Sequence, residues 1–185
     1  MKTMTLIYII MINAILSLFA FTGCTKDKEV KKDDVLSIQK TPYTGNQLKI
    51  DGYYYTMFGT QVQTIHFLYS NGITADFSGS NENLLAADNY VKDASVIQRI
   101  QNTKFSWGVF LIEGNNIKIE QWHPSSGGPL RAYVHSGKIL NDATFQITES
   151  YRMQNGQKKD ISARNETYHF RQYSPKPDST NSFIP

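Results

Sequence analysis

From about residue 46 onward, the chain alternates short runs of β-branched and aromatic residues with dipeptides that favour tight turns. The clearest case is QVQTIHFLYS (61–70), followed by Asn71-Gly72 and then by ITADF (73–77). An Asn-Gly pair between two such runs predicts a hairpin with a type I′ turn, in which both central residues have positive φ. Short runs that end at such turns pair with their neighbours, so this pattern favours an antiparallel sheet.

About eight runs of this kind follow one another, which predicts a mainly β domain built as an antiparallel meander. Because a meander of this length can close and so remove its exposed edges, we expect a small barrel or a strongly curved sheet. In strand number it is similar to the calycin group, and that similarity implies the fold alone. The expected strands are 48–57, 61–70, 73–77, 105–112, 117–123, 130–135, 143–152 and 166–173.

One segment of the domain has a different period. Between Asn83 and Gln101, apolar residues recur at steps of three and four with polar residues between them: Ala87, Tyr90, Val91, Ala94, Ile97 and Ile100. This spacing predicts one amphipathic helix, inserted after the third strand, with Asn83 as its N-cap. We expect the helix to plug one end of the sheet or to cover one face.

The N-terminus has the features of a secretory signal peptide. Lys2 precedes an apolar run that ends near Phe21, and small residues follow before Cys24. A membrane-spanning helix usually needs about 20 apolar residues, and this run is shorter and is followed by Gly23-Cys24 rather than by a basic stop. The sequence therefore predicts that the segment is cleaved.

The residues Phe21-Thr22-Gly23-Cys24 resemble the lipobox of bacterial lipoproteins, although Phe21 stands where leucine is usual. The resemblance implies that the signal peptide is cut between Gly23 and Cys24 and that the thiol carries a diacylglyceryl group, with fatty chains such as palmitate. It also implies a lipid-anchored protein of the cell envelope, most simply of the outer membrane, on either its periplasmic or its outer side. The domain behind the lipobox resembles envelope lipoproteins of Gram-negative bacteria only in this general way.

The sequence divides into four parts. Residues 1–23 are the expected signal peptide, 24–45 a charged and flexible tether, 46–174 a single β-rich domain, and 175–185 an irregular tail. The formal net charge of the chain is +3, and removal of Lys2 with the signal lowers it to +2. A nearly neutral chain without a basic block is not expected to bind nucleic acid.

The candidate chemical groups are few. The four histidines, His66, His123, His135 and His169, show no spacing typical of a metal site, so no metal and no cofactor are expected. His66 and His169 lie in alternating strands, where a surface or hydrogen-bonded imidazole is the simplest interpretation. No nucleophile elbow or phosphate-binding loop is present in the sequence, and we expect a protein that is not an enzyme.

The segment EQWHPSSGGPLRAYVH (120–135) is the best candidate for a ligand-binding site. It places aromatic, basic and imidazole side chains around a Gly-rich loop at 124–129, and such groups are common at binding surfaces. His123 and His135 could converge across the hairpin. In the alternative interpretation, two of the aromatic residues simply pack in the core. The candidate residues are Trp122, His123, Arg131, Tyr133 and His135.

Three functional hypotheses follow from these features. The first is a non-catalytic binding module, tethered to the membrane by its lipid, that holds a small ligand, a glycan or a peptide near the open end of the sheet. The second is a structural or accessory subunit that binds protein partners in an envelope complex through a sheet edge or an aromatic patch. The third, a hydrolase, requires His123, His135 and an acidic residue to cluster in space.

Overall fold

A computed structural model describes residues 32–185, so the predicted signal peptide with Gly23, the predicted lipidation site Cys24 and the first part of the predicted tether lie outside the described residues. Within them, eight antiparallel strands pair in chain order, and β8 pairs back with β1 to close a barrel. This confirms the predicted mainly β fold and shows that the sheet is a closed barrel rather than an open curved sheet. The strands are β1 Gly52–Phe58, β2 Gln61–Leu68, β3 Ile73–Asp76, β4 Trp107–Glu113, β5 Asn116–Ser125, β6 Gly128–Asn141, β7 Thr144–Gln154 and β8 Gln157–Gln172.

The predicted single helix is two helices, α1 (Leu84–Lys92) and α2 (Ala94–Gln101). Asn83 is the N-cap of α1, as expected, and its side chain accepts a hydrogen bond from the backbone of Ala86. The interruption is at Asp93, which has an extended backbone and whose carboxylate accepts hydrogen bonds from the first amides of α2. A carboxylate in that position is a strong N-cap, so it starts a new helix where the apolar period alone predicted continuity.

Two turns differ from the sequence-based expectation. Asn155 and Gly156 both have positive φ, as a type I′ turn requires, whereas at Asn71-Gly72 only the glycine does. Ser136-Gly137, which separated two expected strands, lies within the long strand β6, where Ser136 pairs with Glu149 and Gly137 with Ile147 of β7. The extra residue at this point is Thr148, which bulges from β7, and β6 continues past the glycine to Asn141.

The barrel interior has an apolar half and a polar half. Residues opposite one another in an antiparallel ladder share a face, and one apolar cluster of inward-facing side chains fills the first half. Its rings include Phe145 and Tyr168, which stack with centroids 4.7 Å apart. The other members of this cluster are Leu48, Tyr54, Leu68, Phe110, Ile117, Ile119 and Ile147.

The outer face of the barrel carries the second apolar cluster. The two helices, the N-terminal segment and the C-terminal tail lie over outward-facing aromatic residues such as Tyr53, Phe67 and Trp107. The tail is held in part by the ammonium group of Lys176, which donates to the carbonyl oxygens of Ile50 and Leu68 at 2.6 Å each. Across residues 32–185, no helix is long and apolar enough to cross a membrane.

The described part of the predicted tether lies against the barrel rather than free of it. The carbonyl oxygen of Asp34 accepts a hydrogen bond of 2.7 Å from the indole of Trp122. Further along, the carboxylate of Glu120, which is only 1% exposed, accepts from the Ser37 hydroxyl and from the Ile38 amide. This stretch, which was expected to be part of a flexible tether, thus makes specific contacts with side chains of β5 and β6.

Candidate ligand-binding site

The polar half of the barrel interior contains a cavity of about 140 Å³. Several of its lining residues are partly exposed, so the cavity communicates with solvent at that end of the barrel. Ile119, Ile147 and Tyr168 form its floor against the apolar half. The other lining residues are Thr64, His66, Asp76, Ser78, Gln121, His123, His135 and Glu166.

Strand register brings these side chains together. His66 on β2 lies opposite Asp76 on β3, so both face inward. Ile147 on β7 lies opposite Glu166 on β8, which places that carboxylate in the same cavity. Six of the eight strands or their extensions contribute to the lining, and the site therefore exists only when the barrel is closed.

The two histidines of the β5–β6 hairpin are in direct contact. The Nε2 atoms of His123 and His135 lie 3.2 Å apart, a distance at which one ring donates a hydrogen bond to the other. The ring of Tyr133 packs edge-on against His123, with centroids 5.4 Å apart. A hydrogen bond between these nitrogens requires that one be protonated and the other not, so at most one of the two rings is charged.

Burial keeps the imidazoles neutral. It lowers the pKa of His123 and, together with the neighbouring His123 ring, lowers the pKa of His135 to about 3. Burial also lowers the pKa of His66, and the carboxylates of Asp76 and Glu166 oppose that shift only in part. At neutral pH the cavity therefore presents three uncharged rings, each with one hydrogen-bond donor and one acceptor.

We expect the stability of the protein to fall as the pH is lowered from 7 toward 4. The unfolded His135 has a pKa near 6.5 and the folded one near 3, so in this interval the unfolded state binds more protons and the folded state is disfavoured. Each such proton costs about 1.4 kcal/mol of unfolding free energy per pH unit. Urea denaturation at several pH values measures this slope.

The variant His135→Gln, which retains a hydrogen-bonding side chain, should have a shallower slope between pH 6.5 and 4 than the wild type. His169→Gln is the matched substitution outside the cavity, since His169 is exposed and faces Tyr55 on the outer surface. A slope identical in the wild type and in H135Q would contradict the neutral state of His135 in the folded protein.

Two buried polar atoms in the lining have no hydrogen-bond partner among the described residues: Nδ1 of His66 and Nε2 of Gln121. The two side chains are only 5% and 3% exposed, respectively. A buried donor or acceptor without a partner costs about 1–3 kcal/mol, and native structures rarely retain one without a reason. In a cavity, such atoms are available to a bound molecule.

The carboxylates of the cavity are weakly paired within the described chain. Glu166 accepts a hydrogen bond of 3.2 Å from the hydroxyl of Tyr168, and its other oxygen is 3.6 Å from a guanidinium nitrogen of Arg164. Both members of that ion pair are about 40% exposed, so water screens it. Asp76 accepts a hydrogen bond of 2.6 Å from the amide of Ser78. No lysine or arginine is among the residues that line the cavity.

The structure separates the five residues that the sequence analysis grouped. His123, Tyr133 and His135 share the inward face, and the two histidines converge across the hairpin. Trp122 faces outward, where its indole binds Asp34, so it does not line the cavity. Arg131 lies opposite His123 at the rim, but its guanidinium pairs with the carboxylate of Asp34 at 3.0 Å. These two residues fasten the N-terminal segment instead.

Of the lining residues, the sequence analysis named only His123 and His135 as site candidates; the residues that it missed include His66, Asp76, Gln121 and Glu166. For His66 the signal was present, because β2 is apolar on both sides of the histidine. Its neighbours Ile65, Phe67 and Leu68 are all fully buried. A strand buried on both faces places every second residue in the interior, including a polar one.

Within residues 32–185, no group of three or more histidine, cysteine, aspartate or glutamate side chains has a geometry suited to a metal ion. Comparisons with protein-family models, with curated proteins and with solved structures give no match.

Proposed function

We propose that this chain is a lipid-anchored protein of the cell envelope whose barrel binds a small polar molecule in its interior, without catalysis. The observation that carries the binding role is the solvent-connected cavity with the unpaired buried atoms of His66 and Gln121. The volume of about 140 Å³ corresponds to about four or five water molecules at roughly 30 Å³ each. The ligand is therefore a small molecule or the end of a larger one, and not an intact glycan or peptide.

The location rests on the lipobox-like sequence that ends at Cys24. A single acyl chain binds a bilayer only marginally, whereas two or more give stable attachment at about 0.8 kcal/mol per buried CH₂ group. The chain contains one cysteine, and an unpaired cysteine in an exported protein is explained by such a modification. A barrel held in this way would sample small solutes beside the membrane.

A hydrolase is the less favoured alternative. A hydrolase would require the two histidines to cluster with an acidic residue, and this requirement is met in part, because His123 and His135 share a cavity with Asp76 and Glu166. A general base works best when its pKa lies near the working pH, and burial lowers the pKa of His135 to about 3. The imidazoles of this site are therefore better suited to hydrogen bonding than to proton transfer.

The accessory-subunit hypothesis would need an apolar patch on the surface that could bind a protein partner. Among the described residues, the exposed apolar side chains, including Val35, Phe58, Leu85 and Ile161, are spread over the N-terminal segment, β1, α1 and β8. Scattered apolar residues are normal on a protein surface and do not make an interface by themselves. The interior cavity is the stronger indication.

We expect the mature protein to begin at Cys24 and to carry fatty chains. Its polypeptide would have 162 residues, since 185 − 23 = 162. Intact-mass analysis should show the added lipid, and the protein should partition into the detergent phase of a Triton X-114 extraction. Cys24→Ala should lose both properties, whereas Thr25→Ala, one residue further on, should retain them. A wild-type protein with a free thiol at this position would overturn the proposed anchoring.

Binding in the cavity is tested with three solutes of similar size and different charge: ethanolamine, ethylene glycol and glycolate. The imidazole nitrogen signals of the ¹⁵N-labelled protein report on the site directly, because three of the four histidines line it. We expect at least one solute to shift these signals in a saturable manner and to leave those of His169 unchanged. Ile147→Phe, which enlarges a floor residue, should abolish the response. If none of the three solutes shifts the cavity signals, the proposed binding role is wrong.

A further inference from the structure

The hydrogen-bonding groups of the cavity define the charge of what it binds; the inference that follows rests on the proposed binding role. The lining includes two carboxylates, Asp76 and Glu166, and no lysine or arginine. The three imidazoles are neutral, because burial lowers the pKa of each of them. The formal charge of the lining is thus −2, and within residues 32–185 the one ion pair of its carboxylates is the exposed contact of 3.6 Å between Glu166 and Arg164.

The unpaired atoms add a second requirement. Nε2 of Gln121 is only a donor, so it needs an acceptor on the ligand. The carboxylates need donors, and the interior, with its apolar floor, strengthens any charge-assisted hydrogen bond that they make. Nδ1 of His66 accepts or donates according to its tautomer, so it can bind either kind of group.

We infer that the cavity binds a short organic cation that carries an N–H-bearing ammonium group next to an oxygen acceptor, such as the amino-alcohol group of ethanolamine. The ammonium lies between the carboxylates of Asp76 and Glu166, and the oxygen accepts from the amide of Gln121. A molecule of four non-hydrogen atoms fits a space that holds about four or five waters. The same chemistry is present in free amino alcohols and in the exposed ends of larger molecules that bear this group.

The test compares solutes that differ by one group. Binding is followed through the imidazole signals at constant ionic strength, up to about 50 mM. The ceiling on binding energy per atom limits a ligand of four non-hydrogen atoms to a dissociation constant of about 0.04 mM or weaker. We expect ethanolamine to bind most tightly. Ethylamine, which lacks the oxygen, should bind several-fold more weakly, and ethylene glycol and glycolate at least tenfold more weakly.

Two conservative variants locate the cation. Asp76→Asn retains an oxygen for the amide of Ser78, and Glu166→Gln retains one for the hydroxyl of Tyr168, so the local hydrogen bonds can persist. Each should weaken ethanolamine binding at least tenfold. Glu113→Gln, on an exposed β4 terminus that pairs with Lys118, should leave it unchanged. Gln121→Leu should abolish the advantage of ethanolamine over ethylamine.

The outcomes separate this inference from the proposed function. If ethylene glycol or glycolate binds as tightly as ethanolamine, the inference of a cationic ligand is wrong and the binding role stands. The same conclusion follows if D76N and E166Q bind ethanolamine as tightly as the wild type does. If ethanolamine shifts only signals outside the cavity, the inference of a cationic ligand is likewise wrong. If no solute shifts the cavity signals, both the cationic ligand and the binding role are wrong.

Discussion

Gly137→Ala should destabilise the protein by about 3 kcal/mol or more, a loss near the upper end for a single substitution. Gly137 lies within β6 opposite Ile147 of β7, and a Cβ atom there would lie only 1.8 Å from the carbonyl oxygen of Gln146 on β7. That neighbour is backbone, so it cannot rotate away as a side chain can. The strands would have to separate in the segment that also carries His135.

Thermal denaturation measures this effect. For a domain of this size, about 3 kcal/mol corresponds to a fall in Tm of roughly 6–12 °C. Gly128→Ala is the matched control, since a Cβ there would meet only the hydroxyl of Ser125, at 2.9 Å. That side chain can change rotamer, and we expect a fall of about 2 °C or less. A G137A protein as stable as G128A would show that the two strands are not in this contact.

Trp107→Ala should cost about 3–5 kcal/mol, as removal of a large buried aromatic side chain usually does. Trp107 is 1% exposed and lies between the outer face of β4 and the helices. Its indole donates a hydrogen bond of 2.9 Å to the carbonyl oxygen of Ile100 in α2. The substitution therefore removes both the packing and the polar contact that fix α2 to the barrel.

Hydrogen exchange locates the effect of this substitution. In W107A, amides of α1 and α2 should exchange much faster than in the wild type, whereas those of β7 and β8 should change least. Trp107→Phe retains one aromatic ring and loses the hydrogen bond and part of the packing, so it should keep about half of the stability that W107A loses. Equal exchange in the helices of W107A and the wild type would contradict the packing described here.

Local patterns were sufficient to predict the fold. Turn dipeptides and alternating runs identified all eight strands, and Asn83 was recognised as a helix start from its own side chain. The break at Asp93 and the continuation of β6 through Gly137 were missed for different reasons. Asp93 caps a helix through the nearby amides of Ser95 and Val96, and the apolar period across it concealed this local signal. Gly137 looks like a turn in the sequence until β7 lies beside it.

The candidate site was predicted in part. The sequence analysis expected only that His123 and His135 could converge across the hairpin. The strand register also places Arg131 and Tyr133 on the face of β6 that carries His135. Trp122 could have been excluded, because it is adjacent to His123 and successive residues of a strand point to opposite faces.

Glu166 could have been placed by alternation. It lies two residues before Tyr168 in the expected strand 166–173, and the continuous register of both with β7 makes them face inward. The two register shifts of β7 with β8 lie before Glu166 in the chain, where β8 has an extra residue between Ala163 and Glu166 and another between Lys159 and Ser162; the sequence alone did not indicate these bulges.

The most direct test of the binding role is a crystal structure of the mature protein, soaked separately with ethanolamine, ethylene glycol and glycolate. We predict a closed barrel with one of these solutes inside it, within hydrogen-bond distance of Gln121 and of the carboxylates of Asp76 or Glu166. An interior filled by its own side chains, or solutes bound only to the outer surface, would contradict it.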